Sequence, residues 1–510
     1  MFEARTMKKL FLSVLTTVLL ALPAAAEPAR PLTEILPEFE KAAVGLQKEA
    51  QVPGMSIAVV YRDEVVFLKG FGTRDLEKKL PVDADTVFQL ASCSKPMTST
   101  ALASLVSDGT ISFNEPVVRW LPEFQMSDPW IASEVTFADL LAHRSGVPGQ
   151  SGDILELLGY SQSEIFHKFR YLRKAYPFRA GYAYSNFAFT AAGVAGGRAI
   201  GTDFAGLMDK TLFEPLAMTN SSARFADYEK TQNRAISYFL EGENAIPTVR
   251  RPDPQAPAGG MSSTARDLAS WVRLHLKKGE WEGKRLIDES ALNETYQIQA
   301  VTSNNPANFS GRGYYGLGWV VGHDRKGRLQ LSHSGAFAVG VRSAVTLIPE
   351  EEVGILVLSN AFPSALPEGV STLFLNAYDT GRIDTDLARS TQKQVLDAIL
   401  GMAGSATVAK PAGAAQPPLK LSSYLGRYGN DYYGTTEVTQ KGDRLQLRIG
   451  KYDFRLTHLT GNTFSAKAIT DEFDDLGPFE VRFTVDGDGR VNGFQQDQLE
   501  EPHWFGRSES

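Results

Sequence analysis

Ser92-Cys93-Ser94-Lys95 is followed by Pro96 and then by Met97 to Val106 without another helix breaker, and this run constrains the chain more than any other. Proline is tolerated in the first turn of a helix and disruptive later, so a helix begins near Ser92. Positions i and i+3 share a helix face. The Lys95 amine therefore lies within reach of the Ser92 oxygen, which puts a nucleophile and its base in one turn. The free N–H groups and positive dipole end at a helix start suit both an oxyanion and a lysine that must lose its proton. Cys93 is the sole cysteine, which excludes an intrachain disulfide. It is rotated about 100° from the serine face and reads as a small core residue rather than a thiol nucleophile.

S-x-x-K alone is weak, and it recurs at Ser390-Thr391-Gln392-Lys393 in a polar, amphipathic stretch. Two further elements give the first match its weight. Tyr184-Ser185-Asn186 follows a Gly-containing turn and opens the apolar run Phe187 to Val194, while His333-Ser334-Gly335 closes the strand-like Arg328 to Ser332 and leads into Val339 to Ile348. S-x-x-K, Y-x-N and H-x-G in this order resemble the signature of the penicillin-recognising serine hydrolases, in the branch of class C β-lactamases, D-Ala-D-Ala carboxypeptidases, D-aminopeptidases and related esterases. The resemblance runs from Leu32 to Gly381. It includes Leu140 to Pro148, Ala258 to Leu268 and Tyr315-Gly316-Leu317-Gly318-Trp319.

The resemblance implies an α+β fold, a β-lactamase/transpeptidase-like antiparallel sheet flanked by helices. It also implies roles. Ser92 is acylated, Lys95 and the Tyr184 hydroxyl share the base role, and Asn186 holds Lys95 and meets the substrate carbonyl region. His333, Ser334 and Gly335 line the substrate, and the backbone N–H groups of Ser92 and Ala336 form the oxyanion hole. No cofactor and no metal are implied, and the partner is a small peptide or ester substrate. The third motif carries histidine where β-lactamases and carboxypeptidases carry lysine, which points toward peptidase, amidase or esterase chemistry. A peptidase or amidase on short peptides, D-residue-containing ones among the candidates, is the first reading; a carboxylesterase or weak β-lactamase is the second. A non-catalytic binding homologue is a third, opposed by the intact Ser92, Lys95, Tyr184 and Asn186. With an ordinary pKa of about 6.5, His333 is expected to become a cation as pH falls and so to tune KM for carboxylate-bearing substrates.

Other chemistry finds little support. Gly311 to Gly316 spells G-x-G-x-x-G, but no strand leads into it and a strand follows, contrary to a dinucleotide loop. There is no H-E-x-x-H, Walker loop, paired cysteine motif or G-x-S-x-G elbow. A net charge of −7 without a basic stripe excludes a nucleic-acid binder.

At 510 residues and 43% hydrophobic composition, the chain can bury a large core and hold more than one domain. Residues 1–26 read as a signal peptide: Lys8 and Lys9, apolar Leu10 to Leu22, then Ala24-Ala25-Ala26 before Glu27. The apolar stretch is shorter than a bilayer span, so a periplasmic or secreted protein without a stable membrane anchor is expected. Residues 27–403 form the hydrolase-like unit, with a hairpin over Ser56 to Gly70 turning at Arg62-Asp63 and a strand over Tyr315 to Val321. Residues 404–418, small and Pro-rich, read as a linker. Residues 419–510 alternate in short runs, such as Thr436 to Gln440, Arg444 to Ile449 and Val481 to Val485, and resemble a lipocalin-like antiparallel barrel. The unit up to Gly404 is expected to fold alone, with homo-oligomerisation left open.

Overall fold

The computed structural model describes residues 27–304, 312–402, 414–469 and 478–508. The leader and most of the linker lie outside them. Nine strands form one sheet: β1 (Gly54–Tyr61), β2 (Glu64–Asp75), β3 (Leu80–Pro81), β4 (Ala300–Asn304), β5 (Arg312–Tyr315), β6 (Val320–His323), β7 (Leu329–Phe337), β8 (Val341–Ile348) and β9 (Val353–Ser359). Their spatial order is β4-β5-β6-β7-β8-β9-β1-β2-β3. The two ends of the larger unit thus meet in mid-sheet, where β1 pairs antiparallel with β9 from Met55↔Ser359 to Tyr61↔Val353. The β1–β2 connection is the two-residue turn Arg62-Asp63, both at positive φ (49° and 65°), as the twist of a tight hairpin demands.

Period-two alternation divides the strands between two cores. Met55, Ile57, Val59, Ile355 and Val357 face one side, where α1 (Leu32–Glu49) and a late helix, Leu366–Thr380, cover them through Phe39, Val370 and Phe374. The Phe39 ring sits edge-on to Phe67 and Phe374, with centroids 5.6 and 5.5 Å away. Ala58, Val60, Leu356 and Leu358 face the other side, toward Met97, Leu102, Trp271 and Val272. The helices behind these are α2 (Ser94–Ser107), α3 (Asn186–Ala199) and α4 (Ala265–Leu276).

One strand expectation is corrected. Tyr315 to Val321 is not a single strand: β5 ends at Tyr315, β6 starts at Val320, and the chain turns between them with Gly318 at φ +80°. A Cβ on Gly318 would lie 2.4 Å from Ser99 Oγ and 2.9 Å from the Lys95 carbonyl oxygen, so glycine lets this turn pack directly on the back of α2.

The C-terminal strands close an eight-stranded antiparallel barrel between Gly426–Asn430 and Trp504–Arg507. Its interior is filled rather than hollow at one end, where the Phe483 ring meets Tyr424, Tyr428, Phe464 and Phe494, as expected for eight strands. The barrel is not loosely tethered. Leu155 and Leu158 of the larger unit share one buried apolar cluster with Tyr432, Tyr433 and Leu499, and Lys451 N–H donates to the Leu158 carbonyl at 3.1 Å. Among the described residues no helix is long and apolar enough to cross a membrane.

Candidate active site

Ser92 sits in a 3-10 turn, Ala91–Cys93, that runs straight into α2. Ala91 is held at φ +47° although it is not glycine, a conformation costing about 1–3 kcal/mol that persists only when the surroundings impose it. Those surroundings include the end of β7. β6 pairs only with Leu329 to Ser332; beyond that point the strand edge lies along the turn that carries Ser92. A Cβ on Gly335 would fall 2.1 Å from the Leu90 carbonyl oxygen and 3.0 Å from the Cys93 nitrogen. Glycine at 335 is thus what allows the strand carrying Ser334 and Ala336 to approach Ser92 so closely.

Lys95 is fully buried, and its Nζ reaches three oxygens: Ser92 Oγ at 3.1 Å, Asn186 Oδ1 at 2.8 Å and the Ala258 carbonyl at 2.8 Å. Burial pushes its pKa down to about 7, opposed by Asp153 and Cys93. The Tyr184 hydroxyl donates to Ser92 Oγ at 2.9 Å. Burial raises this phenol well above its usual range, the bond to Ser92 opposing the effect. Lys95 Nζ also lies 4.6 Å from the Tyr184 ring centre. The lysine amine, not the phenol, is therefore the group that exchanges a proton near neutrality.

Asn186 opens α3, whose start is capped by Ser185. With Oδ1 on Lys95, its Nδ2 donates to Asp153 Oδ2 at 2.9 Å. Behind Tyr184 lies His143, ring centroids 4.4 Å apart, whose Nδ1 accepts from Ser185 N–H at 3.2 Å. Burial keeps His143 neutral. The structure thus brings Ser92, Lys95, Tyr184 and Asn186 into one hydrogen-bonded group, with Gly335 against the turn that carries Ser92.

His333 behaves differently from the sequence expectation. It is 5% exposed; Nε2 meets the Tyr315 hydroxyl at 2.9 Å and Nδ1 the Ser334 carbonyl at 2.8 Å. Burial, reinforced by Lys95, pushes its pKa down to about 3. It therefore stays neutral from about pH 5 upward, and the expected switch near pH 6.5 is withdrawn. Cys93 is buried, its thiol turned to the His333 carbonyl at 3.3 Å and pushed up by burial to about 12. Of the second S-x-x-K match, Lys393 is spent on an exposed ion pair with Asp397.

The sequence profile of the Beta-lactamase family matches residues 39–374, more than half the chain. The chain belongs to this family. A second profile, described as a domain of unknown function (DUF3471), matches residues 410–507. Among known proteins the chain is similar to Protein flp of Staphylococcus aureus, 26% identical over 333 residues, covering 64% of this chain and 63% of that protein. The chain thus spans less than two thirds of that relative's length. Beta-lactamase-like protein 2 of Dictyostelium discoideum is 22% identical over 458 residues, covering 86% of this chain and 79% of its own. In fold, the chain is similar to the octameric penicillin-binding protein homologue from Pyrococcus abyssi, with a TM-score of 0.58 at 20% identity over 92% of this chain and 99% of that one. It is similar also to SurE, with a TM-score of 0.55 at 21% identity over 94% and 100%.

Asp153, His143 and the Ala258 carbonyl were not singled out as site residues from the sequence. A main-chain acceptor carries no side-chain signal, and a lone Asp or His in a helical region has none beyond its place beside a family motif.

Proposed function

We propose that the protein is an exported serine hydrolase that forms an acyl-enzyme on Ser92 and acts on amide bonds of short peptides, including D-residue-containing ones. The observation that carries this reading is the Lys95 amine, buried, 3.1 Å from Ser92 Oγ and pushed down to a pKa of about 7. Neutral Lys95 takes the Ser92 proton as the oxygen attacks the carbonyl carbon. The resulting oxyanion is held by the N–H groups of Ser92 and Ala336, each such donor contributing about 3 kcal/mol. Tyr184, still a phenol, donates its proton to the departing nitrogen, and the proton held by Lys95 restores the phenol. Water then attacks the acyl carbonyl, its proton passing to the same pair, and Ser92 is regenerated.

Tyr184 favours amide over ester in this scheme, because an amine leaves only when protonated. A carboxylesterase is the second reading, supported by neutral His333, which offers no fixed charge to a substrate carboxylate. Export rests on the basic and apolar pattern of residues 1–26. The test is a panel of peptide p-nitroanilides, p-nitrophenyl esters and nitrocefin, run with wild type and Ser92→Ala. We expect turnover of p-nitroanilides that Ser92→Ala abolishes. Turnover confined to esters would move the assignment to the second reading, and equal turnover by Ser92→Ala would contradict both.

A further inference from the structure

The barrel sends one carboxylate into the hydrolase unit. Glu500 is half-buried: its Oε2 accepts from Gly152 N–H at 2.9 Å and its Oε1 from Ile154 N–H at 2.7 Å. The Tyr432 hydroxyl, also from the barrel, donates to Oε2 at 2.6 Å and accepts from Gly152 N–H at 3.0 Å. These are the residues on either side of Asp153. Gly152 stands at φ +91°, where a Cβ would fall 2.7 Å from Ile165 and 2.9 Å from the Phe187 ring, so this backbone has little room to settle elsewhere. Burying a carboxylate costs several kcal/mol unless donors surround it. Here every donor named belongs either to this one loop or to the barrel tyrosine that braces it.

We propose that Glu500 is a positioning residue of the active site: by clamping the backbone of Gly152 to Ile154 it fixes the Asp153 carboxyl, which holds Asn186, which in turn holds the Lys95 amine. The proposal rests on the reading that Lys95 activates Ser92. The chain of contacts is continuous, from Glu500 to the Asp153 backbone, Asp153 Oδ2 to Asn186 Nδ2 at 2.9 Å, and Asn186 Oδ1 to Lys95 Nζ at 2.8 Å. It makes the barrel part of the catalytic apparatus rather than an appended module.

The electrostatics run the same way. Asp153 is raised well above the usual carboxylate range, by burial first and then by Glu500 and Glu156, while Asn186 and Lys95 oppose the shift. Glu156 is itself paired with Arg250 and Gln255. Around Lys95 stand Ser92, Tyr184, Asn186, Cys93, Asp153 and the neutral His143 and His333. The Glu500 carboxylate thus adds to burial in favouring the protonated form of Asp153, the form that does not raise the Lys95 pKa. Removing the Glu500 charge takes away one of the causes that raise the Asp153 pKa, and an Asp153 with more carboxylate character raises the pKa of Lys95.

The test uses the full chain and a fluorophosphonate probe, with kinact and KI followed between about pH 6 and about pH 9 for wild type, Glu500→Gln and Tyr432→Phe. For Glu500→Gln we expect kinact near neutral pH to fall about tenfold or more at unchanged KI, with the acid limb displaced to higher pH. Tyr432→Phe, which keeps the ring, shifts both in the same direction by less. In an Asp153→Asn background, Glu500→Gln should no longer move the acid limb. Variants that melt earlier but keep the wild-type kinact and acid limb would make Glu500 a docking contact only and overturn the proposal. Failure of wild type itself to take up the probe would overturn the functional reading as well.

Discussion

At the residue scale, the unusual group is a lysine with no exposed surface. Its three acceptors can host an ammonium, yet burial favours the neutral amine enough to bring the pKa from 10.5 to about 7. The unfolded chain holds that proton up to about pH 10.4, whereas the folded protein releases it near 7. Between these values the unfolded state binds one more proton, so Lys95 makes folding stability rise with pH at about 1.4 kcal/mol per unit. Chemical denaturation of wild type and Lys95→Met at about pH 7.5 and about pH 9.5 should therefore show wild type gaining on the variant by about 2–3 kcal/mol. A constant difference would mean that Lys95 is protonated in the folded enzyme throughout. Ser92, Lys95, Tyr184 and Asn186 were legible in the sequence because spacing on a helix and order along the chain carry them. The neutrality of His333 was not, since it depends on Tyr315 and on burial beneath the sheet edge.

At the scale of elements, the site is built where the end of β7 lies along the turn that carries Ser92. Close approach is what Gly335 provides, and Gly335→Ala tests it. With a Cβ 2.1 Å from the Leu90 carbonyl oxygen, either the strand or the Ser92 turn must move, at an expected cost of about 1–3 kcal/mol in stability and about a hundredfold in the rate of probe labelling. Thermal melts alongside probe-labelling rates measure both, and a variant that labels at the wild-type rate would contradict this geometry. Strand periodicity made the hairpin at Arg62-Asp63, β8, β9 and several barrel strands readable. The break between β5 and β6 escaped because Gly316 to Trp319 sits within an apolar run, and only packing of Gly318 on α2 interrupts it.

For the whole molecule, the two ends of the β-lactamase-like unit meet in mid-sheet, and the barrel returns from the far end of the chain to meet the Gly152–Ile154 loop behind Asn186 and Lys95. Gly152 and Glu500 are 348 positions apart, a separation at which no local pattern in one sequence announces a contact. The expectation that the unit up to Gly404 folds alone stands beside an interface in which the half-buried Glu500 carboxylate accepts from the Gly152 and Ile154 N–H groups and both units share one apolar core. All of this serves one claim, that Ser92 is acylated with Lys95 as its base. Mass spectrometry of the full chain after fluorophosphonate treatment, repeated across pH, tests it most directly. A single adduct on the Ser92 peptide is expected, formed at a rate that rises with pH through a midpoint of about 7 and absent in Ser92→Ala. An adduct on Cys93 or Ser390, or a rate on Ser92 that does not change across that midpoint, would contradict it.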